Sequence, residues 1–457
     1  MSTSKKITVE LLLLGGLMFA GACGGSALAE VIPTNAETIV DQAFGEELVS
    51  NDCPDYGWKY LQIGTSEDDE ATAIATDGAC KAYIAGNTLG TLTSEEESNL
   101  YQDGFISRLP NIGSTGWTHQ FGTEGNDIVR GLAVSALGTS YVVGETQGMG
   151  ITLLAAGSDG LAASFDSSGA ARWQSTYGVA ADDFNLAVAL KKDDSPFVAG
   201  ANFADLSRSS ELWLNELASA DGRTTKESLL GTPEYDRPEG VAIDQDSGDI
   251  FLCGSTAGDM GTWNRGSSDA FVRKLHPDYT SEWIYQIGTD DVDVAQRVVW
   301  DPATKSLYVL ALSYSDLATG ASENDGRVAP FVIKLDKDGH QKWIVRIGSP
   351  GVHLQARGLA LGPTGELYIA GSTPGRIGTA ASSGGWDGYV VKLNSIDGKV
   401  KWSKQFGSAG DEAVTGLTVS PNGRILVSGS TSGALEGSNL GKRDAFVANI
   451  SPKGTEF

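Results

Sequence analysis

Positive charge is scarce in this sequence of 457 residues. Its 33 lysines and arginines face 58 aspartates and glutamates, a formal charge of −25. Such a surface repels phosphate backbones and disfavours nucleic-acid binding. Histidine is rarer still: His119, His276, His340 and His353 are dispersed, and no H-E-x-x-H pair occurs. The G-x-S-x-G elbow of serine hydrolases and the phosphate-cradling P-loop are both missing. No window of helical periodicity competes with the strand-like patterns that fill the chain.

What is abundant is glycine, 59 residues, with 40% hydrophobic content and 14 prolines scattered among strand-like runs. That mixture describes a turn-rich globular protein and argues against collagen or disorder.

The first 29 residues read as a signal peptide. Lys5 and Lys6 precede an apolar segment, Leu11 to Phe19, that is too short to span a membrane. Two cleavage readings stay open. Ala20-Gly21-Ala22-Cys23 resembles the lipobox of bacterial lipoproteins, whose cysteine is acylated, although Ala stands where Leu is usual. Ala27-Leu28-Ala29 fits an A-x-A signal-peptidase site instead. Gly24 after Cys23 favours the outer membrane over inner-membrane retention, and otherwise the chain is periplasmic or secreted. Residues 30–57 read as a tether.

Cysteine use agrees with export: beyond Cys23 there are Cys53, Cys80 and Cys253. Cys253 lies in a strand-like run and reads as a buried thiol.

Self-similarity sets the fold. Trp117-Thr-His-Gln-Phe-Gly122 recurs as Trp173 to Gly178, Trp283 to Gly288, Trp343 to Gly348 and Trp402 to Gly407. Weaker copies end at Gly64, with Trp58 one residue early, and at Gly231, with Lys226 at the Trp position. The glycines are 53–60 residues apart, the length of a four-stranded blade. Each unit adds three alternating strands, such as Arg130 to Val134, Glu366 to Gly371 and Asp387 to Leu393. Such sheets bury their faces only by stacking on one another, so residues 58–457 are predicted to form a seven-bladed β-propeller. Gly or Ala in the first strand suits the crowded innermost position, and the Trp strand is then outermost. A Trp buried between blades would cost about 3–5 kcal/mol on truncation to Ala.

The array opens with a Trp strand and ends on a third strand, Asp444 to Ile450. The last blade therefore lacks its outer strand, and Trp58 to Gly64 is expected to supply it, closing the ring as a monomer. With that closure Cys53 and Cys80 fall on one face at adjacent blades. A bridge between them is one reading and two unpaired thiols the other.

Gly122-Thr-Glu-Gly-Asn-Asp127 through Tyr141-Val-Val-Gly144, and most of Gly348 through Gly371, resemble the bacterial seven-bladed β-propeller (SBBP) repeat family. The resemblance covers about residues 58–457 and is weakest in the third and fifth units. It implies an exported envelope or extracellular repeat protein and carries no common activity.

Candidate chemistry is thin. An acidic residue stands five positions after the repeat glycine in six units: Asp69, Asp127, Asp183, Asp236, Asp293 and Glu412. Such a ring either binds cations at a channel mouth or caps its own loops; repetition favours the caps. The sixth unit has His353 at that step and one extra residue. Arg297 replaces the small residue found at Ala73, Gly131, Ala187, Gly240, Gly358 and Gly416, either as an anion anchor or as a structural salt bridge. Trp263 and Trp386 lie in long loops between second and third strands, where exposed Trp stacks on sugars or anchors proteins, or else packs within its own loop. Asp244-Gln-Asp246-Ser-Gly248-Asp249 echoes a calcium loop without its distal Glu. No metal or cofactor is expected.

The leading expectation is a non-enzymatic scaffold of the cell envelope that binds a protein or glycan through its loop face. Membrane attachment would come only through lipid on Cys23. Two alternatives stay open: an outer-membrane assembly lipoprotein of propeller type, and a quinoprotein-like enzyme. The latter rests on Asp397-Gly-Lys-Val-Lys-Trp402, which resembles part of quinone-binding repeats.

Overall fold

The computed structural model describes residues 53–93, 101–147, 157–178, 182–202, 210–321, 326–378 and 382–454. The expected signal peptide, Cys23 and most of the expected tether lie outside these residues.

Every described element is a strand. The first, β1 (Tyr60–Ile63), stands apart from its neighbours in sequence. Blade 1 is β2 (Asp69–Thr76), β3 (Ala82–Thr88), β4 (Asp103–Arg108) and β5 (Trp117–Phe121). Blade 2 is β6 (Asp127–Val134), β7 (Ser140–Thr146), β8 (Asp159–Phe165) and β9 (Ala171–Tyr177). Blade 3 is β10 (Asp183–Leu190), β11 (Pro196–Asn202), β12 (Glu211–Leu217) and β13 (Thr224–Leu230). Blade 4 is β14 (Asp236–Ile243), β15 (Ile250–Thr256), β16 (Asp269–Leu275) and β17 (Ser281–Ile287). Blade 5 is β18 (Asp293–Asp301), β19 (Ser306–Ser313), β20 (Ala329–Asp336) and β21 (Gln341–Arg346). Blade 6 is β22 (Gln355–Leu361), β23 (Leu367–Thr373), β24 (Asp387–Leu393) and β25 (Val400–Phe406). Blade 7 holds β26 (Glu412–Val419), β27 (Ile425–Thr431) and β28 (Asp444–Ile450), and its fourth strand is β1.

Each sheet is an antiparallel meander, and the first strands of successive blades pack side by side around the ring, β26 against β2 included. The ring is a seven-bladed propeller closed by its N-terminal strand. Tyr60 pairs with Ala448 and Ile63 with Ala445. The folded body reaches back past Trp58: Tyr56 is buried and its hydroxyl donates to the Cys80 carbonyl at 2.8 Å.

Second strands are buried along both faces, as in β3, β7, β15 and β23, because each lies between two neighbouring sheets. Outer strands alternate instead, β9 showing exposed and half-buried residues in turn. The cores accordingly lie between blades: Phe251 and Val272 of blade 4 pack with Val309 and Phe331 of blade 5. Apolar contact between sheets, not within one, holds the ring together.

The repeat Trp does not bury as deeply as expected. Trp117, Trp173, Trp283, Trp343 and Trp402 are half-buried. Four of them donate the indole N–H to a carbonyl in the next blade's outer turn: Trp117 to Ser167 at 3.3 Å, Trp173 to Ser219 at 3.0 Å, Trp283 to Lys337 at 3.0 Å and Trp343 to Ile396 at 2.9 Å. Trp58 does the same across the closure, to Pro110 at 2.9 Å. Lys226, at the Trp position of blade 3, keeps the latch by donating to the Pro277 carbonyl at 2.7 Å, its ammonium 3.5 Å from the Tyr279 ring centre.

Cys53 and Cys80 form a disulfide, their Cα atoms 5.5 Å apart, which ties the segment before β1 to the β2–β3 turn. Cys253 is a buried free thiol whose ionisation burial opposes.

Candidate ligand site at the channel mouth

Every first strand carries a β-bulge at the same place. In β6 the register slips between Val129 and Gly131; in β22 it slips between Ala356 and Gly358. The skipped residues are Thr72, Arg130, Leu186, Glu239, Gln296, Arg357 and Thr415. A bulge re-aims side chains out of the sheet. The glycine of the second strand makes room for it: a Cβ on Gly144 would sit 1.9 Å from the Ile128 carbonyl oxygen. Six of the seven skipped residues line one cavity of about 670 Å³ at the mouth of the ring. First strands begin at this end and second strands finish there, Asp69 pairing with Thr88. Gln102, Trp386 and Arg443, described residues at the ends of the loops between second and third strands, line the cavity as well.

The cavity gathers Arg130, Arg237, Arg297, Arg357 and Arg443, with Glu70, Glu239, Asp411 and Glu412. Two arginines are paired: Arg130 with Glu145 at 2.6 Å and Arg237 with Glu239 at 2.8 Å. Arg297 instead donates Nη1 to the carbonyls of Glu239 at 3.1 Å and Gln296 at 2.7 Å. Burial pulls its guanidinium below the usual range; Glu239 opposes that shift and Arg357 adds to it. Among the described residues, Arg357 and Arg443 make no side-chain hydrogen bond or ion pair, and both are exposed. The Glu70 carboxyl is raised by burial, and Arg443, Arg357 and Arg130 pull it back.

Trp386 lines the same cavity. Its ring meets that of His353 edge to face, centres 5.3 Å apart at 87°. Its N–H donates to the Asp411 carboxylate at 2.9 Å and its carbonyl accepts from Glu412 N–H at 2.7 Å. Three sequence candidates thus converge: Arg297 and Trp386 on the cavity wall, His353 behind the tryptophan. Trp263 is 83% exposed and does not line it.

The six acidic residues are buried, each at most 1% exposed, and Asp69, Asp127, Asp236, Asp293 and Glu412 cap their loops. Thr123 donates both its N–H, at 2.6 Å, and its hydroxyl, at 3.1 Å, to Asp127; Thr65, Thr232 and Thr289 repeat this on Asp69, Asp236 and Asp293. The repeat glycine is wedged beside these carboxylates: a Cβ on Gly122 would lie 2.4 Å from an Asp103 oxygen and 2.9 Å from one of Asp127.

His353 does not take the acidic step in blade 6. Leu354 does, donating its N–H to the Val328 carbonyl as Asp127 does to Gln102. The extra residue shifts the position by one. Ala329 begins the facing strand β20 where β4 and β16 begin with Asp103 and Asp269, so the junction loses both carboxylates together and stays apolar.

Asp244 caps a hairpin turn through Asp246 N–H at 3.1 Å. Asp249, His276 and Glu282 cluster nearby. Lys274 sits among them, 3.0 Å from Asp249 and 2.6 Å from Glu282. An ammonium already neutralises that group.

Sequence reading missed Arg130 and Arg357, although the Arg-Gly step of Arg130-Gly131 and Arg357-Gly358 marks the bulge. It also passed over the glutamine two residues before the repeat glycine. Gln120, Gln286 and Gln405 each donate to the carboxylate opening the third strand, at 2.8, 2.9 and 2.7 Å. Each also accepts a loop N–H: from Leu92 at 2.8 Å, Met260 at 3.0 Å and Ile377 at 2.9 Å. These outer-strand glutamines fasten the starts of the loops that follow the second strands.

The fold and this mouth define a seven-bladed all-β propeller. Residues 401–435 match the family model described as SBBP, Beta-propeller repeat. A stretch of 117 residues is 33% identical to Regulatory protein FlaEY of Caulobacter vibrioides, covering 24% of this chain and only 12% of that protein. Among solved structures, polysaccharide lyase Uly1 is similar at a TM-score of 0.49 and 10% identity, over 90% of this chain and 95% of that one. A Lactobacillus plantarum protein has a TM-score of 0.46 at 14% identity, over 73% and 84%. A gluconolactonase from Xanthomonas campestris has a TM-score of 0.39 at 13% identity, over 85% and 97%. Values this low carry nothing about activity.

Proposed function

We propose that this chain is an exported, non-enzymatic propeller of the cell envelope that binds a protein or glycan partner through the loop face around its channel mouth. Cys23 is the proposed lipid attachment point on the outer membrane. The observation that carries the binding site is the gathering of five arginines around one mouth of a chain whose net charge is −25. Long loops on one face of a rigid ring are a usual recognition surface.

Two of the four cavity carboxylates are tied into the scaffold, Glu239 held by Arg237 and Glu412 accepting from Ser408 N–H at 2.9 Å and from the Thr431 hydroxyl at 2.7 Å, which supports a binding role for them. Solubilised native envelope passed over immobilised full-length protein is expected to give a bound component. An Arg357→Ala/Arg443→Ala variant should no longer retain it. If that variant keeps every component, the mouth is not the binding face. Labelling with a radioactive fatty acid should mark the wild type and not Cys23→Ser.

A further inference from the structure

Building on that reading, we infer that the channel mouth takes an acidic saccharide, its anionic group on the arginines and a pyranose face on Trp386. Size comes first: about 670 Å³ lies within the range that encloses a small ligand, whereas a folded protein surface needs a wider platform. Charge comes next. Arg357 and Arg443 have no ion pair among the described residues, and the hydrogen bonds of Arg297 go to carbonyls rather than to a carboxylate. Glu239, Asp411 and Glu412 are engaged with Arg237, the Trp386 N–H and Ser408. Arg130 is held by Glu145, and Glu70 is the carboxylate whose field meets those of Arg357 and Arg443. Guanidinium forks suit carboxylate or sulfate oxygens.

An inorganic anion would need only the arginines. The wall also presents an aromatic plane, Trp386, whose ring abuts His353 and whose backbone is bonded on both sides. Gln102 and Gln355 line the cavity as well, offering amide donors and acceptors of the kind sugar hydroxyls require. An aromatic face beside polar amides and free guanidiniums is a mixed surface that a charged sugar satisfies throughout. A polyanion without a ring, or a neutral sugar, satisfies only part of it.

Titration calorimetry on the full-length mature protein tests this with oligogalacturonate, sulfated oligosaccharide, neutral oligoglucose, citrate and a hexaglutamate peptide. At least one acidic oligosaccharide is expected to bind, weakening as salt rises. Arg357→Ala/Arg443→Ala should weaken it by at least about tenfold, since two charge-assisted contacts are lost. Both side chains are exposed, so an unchanged melting temperature is expected to show that the ring is intact. Trp386→Ala should weaken the acidic sugar about tenfold while leaving any citrate binding within about twofold.

Equal binding of the neutral sugar, tighter binding of hexaglutamate, or no binding of either acidic oligosaccharide at millimolar concentration would each overturn the inference. If acidic sugars fail while envelope capture still depends on Arg357 and Arg443, only the sugar is wrong. If capture is indifferent to them, the binding face itself is wrong.

Discussion

Gln62 donates to the Asp444 carboxylate at 3.1 Å across 382 residues of sequence. Gln120 makes the same bond to Asp103 at 2.8 Å within blade 1, only 17 residues away. Gln62 also accepts from Leu435 N–H at 2.9 Å, as Gln120 does from Leu92. The composite blade therefore reproduces the internal ones side chain by side chain.

Removing Trp58 to Gly64 should consequently expose the β28 edge and remove the Trp58 latch to Pro110. A large fall in melting temperature is expected, with self-association through the free edge. The single change Gln62→Leu leaves the Asp444 oxygen without this donor and should cost about 1–3 kcal/mol in chemical denaturation. A deletion variant that melts like the wild type would disprove closure.

The Cys53–Cys80 bridge closes a sequence separation of 27 residues beside that same junction. In the loop-entropy description its loss costs about 3–4 kcal/mol. Cys53→Ser/Cys80→Ser should show that loss in urea titration, and unreduced mass spectrometry of the wild type should find the linked peptide.

Truncating an interblade Trp should cost less than full burial implies. Trp283→Ala loses a half-buried ring and one indole hydrogen bond, about 2 kcal/mol. Lys226→Trp in blade 3 is expected to be tolerated, because the latch to Pro277 accepts either donor. Thermal melts of both variants check this.

The buried caps make stability depend on pH in an unusual direction. Burial raises the carboxyls of Asp69, Asp127, Asp293 and Glu412, with neighbouring Asp444, Asp103, Asp269 and Asp387 adding to it. A carboxyl whose folded value is raised holds its proton more tightly in the native state. Its contribution is complete below the unfolded value near about 4 and is lost as pH rises through the folded value. Asp336 acts oppositely: despite some desolvation, Lys342 and turn N–H groups lower it, so its contribution is lost as pH falls. Asp127→Asn isolates the first effect. Relative to that variant, the wild type should lose stability as pH rises above about 4. A flat difference across that range would mean that the junction carboxyls titrate as in the unfolded chain.

The repeat period, the strand count and the offset between first and last strands were all readable, because each is a one-dimensional pattern. Their consequence was readable too: seven triplets with displaced outer strands have one way to satisfy every edge. The depth of the Trp rings was not, since burial depends on how far adjacent sheets splay. Nor was the position of Leu354, because a one-residue insertion leaves open which residue enters the ladder. The backbone decided that, placing an apolar side chain opposite Ala329.

Composition and periodicity by themselves determined that this chain builds a closed ring of seven sheets. They also singled out Arg297 and His353 as departures from the repeat, and Trp263 and Trp386 as loop tryptophans. Only the tertiary structure decided that Arg297 and Trp386 meet at one mouth with His353 against the tryptophan, that Trp263 stays away, and that Arg130, Arg357 and Arg443 join them. For Arg130 and Arg357 the physical reason is the bulge, whose skipped residue turns toward the mouth in six of the seven blades, while Trp386 and Arg443 come from loops beside it. Residues some 60 positions apart become neighbours only when the ring brings their bulges together.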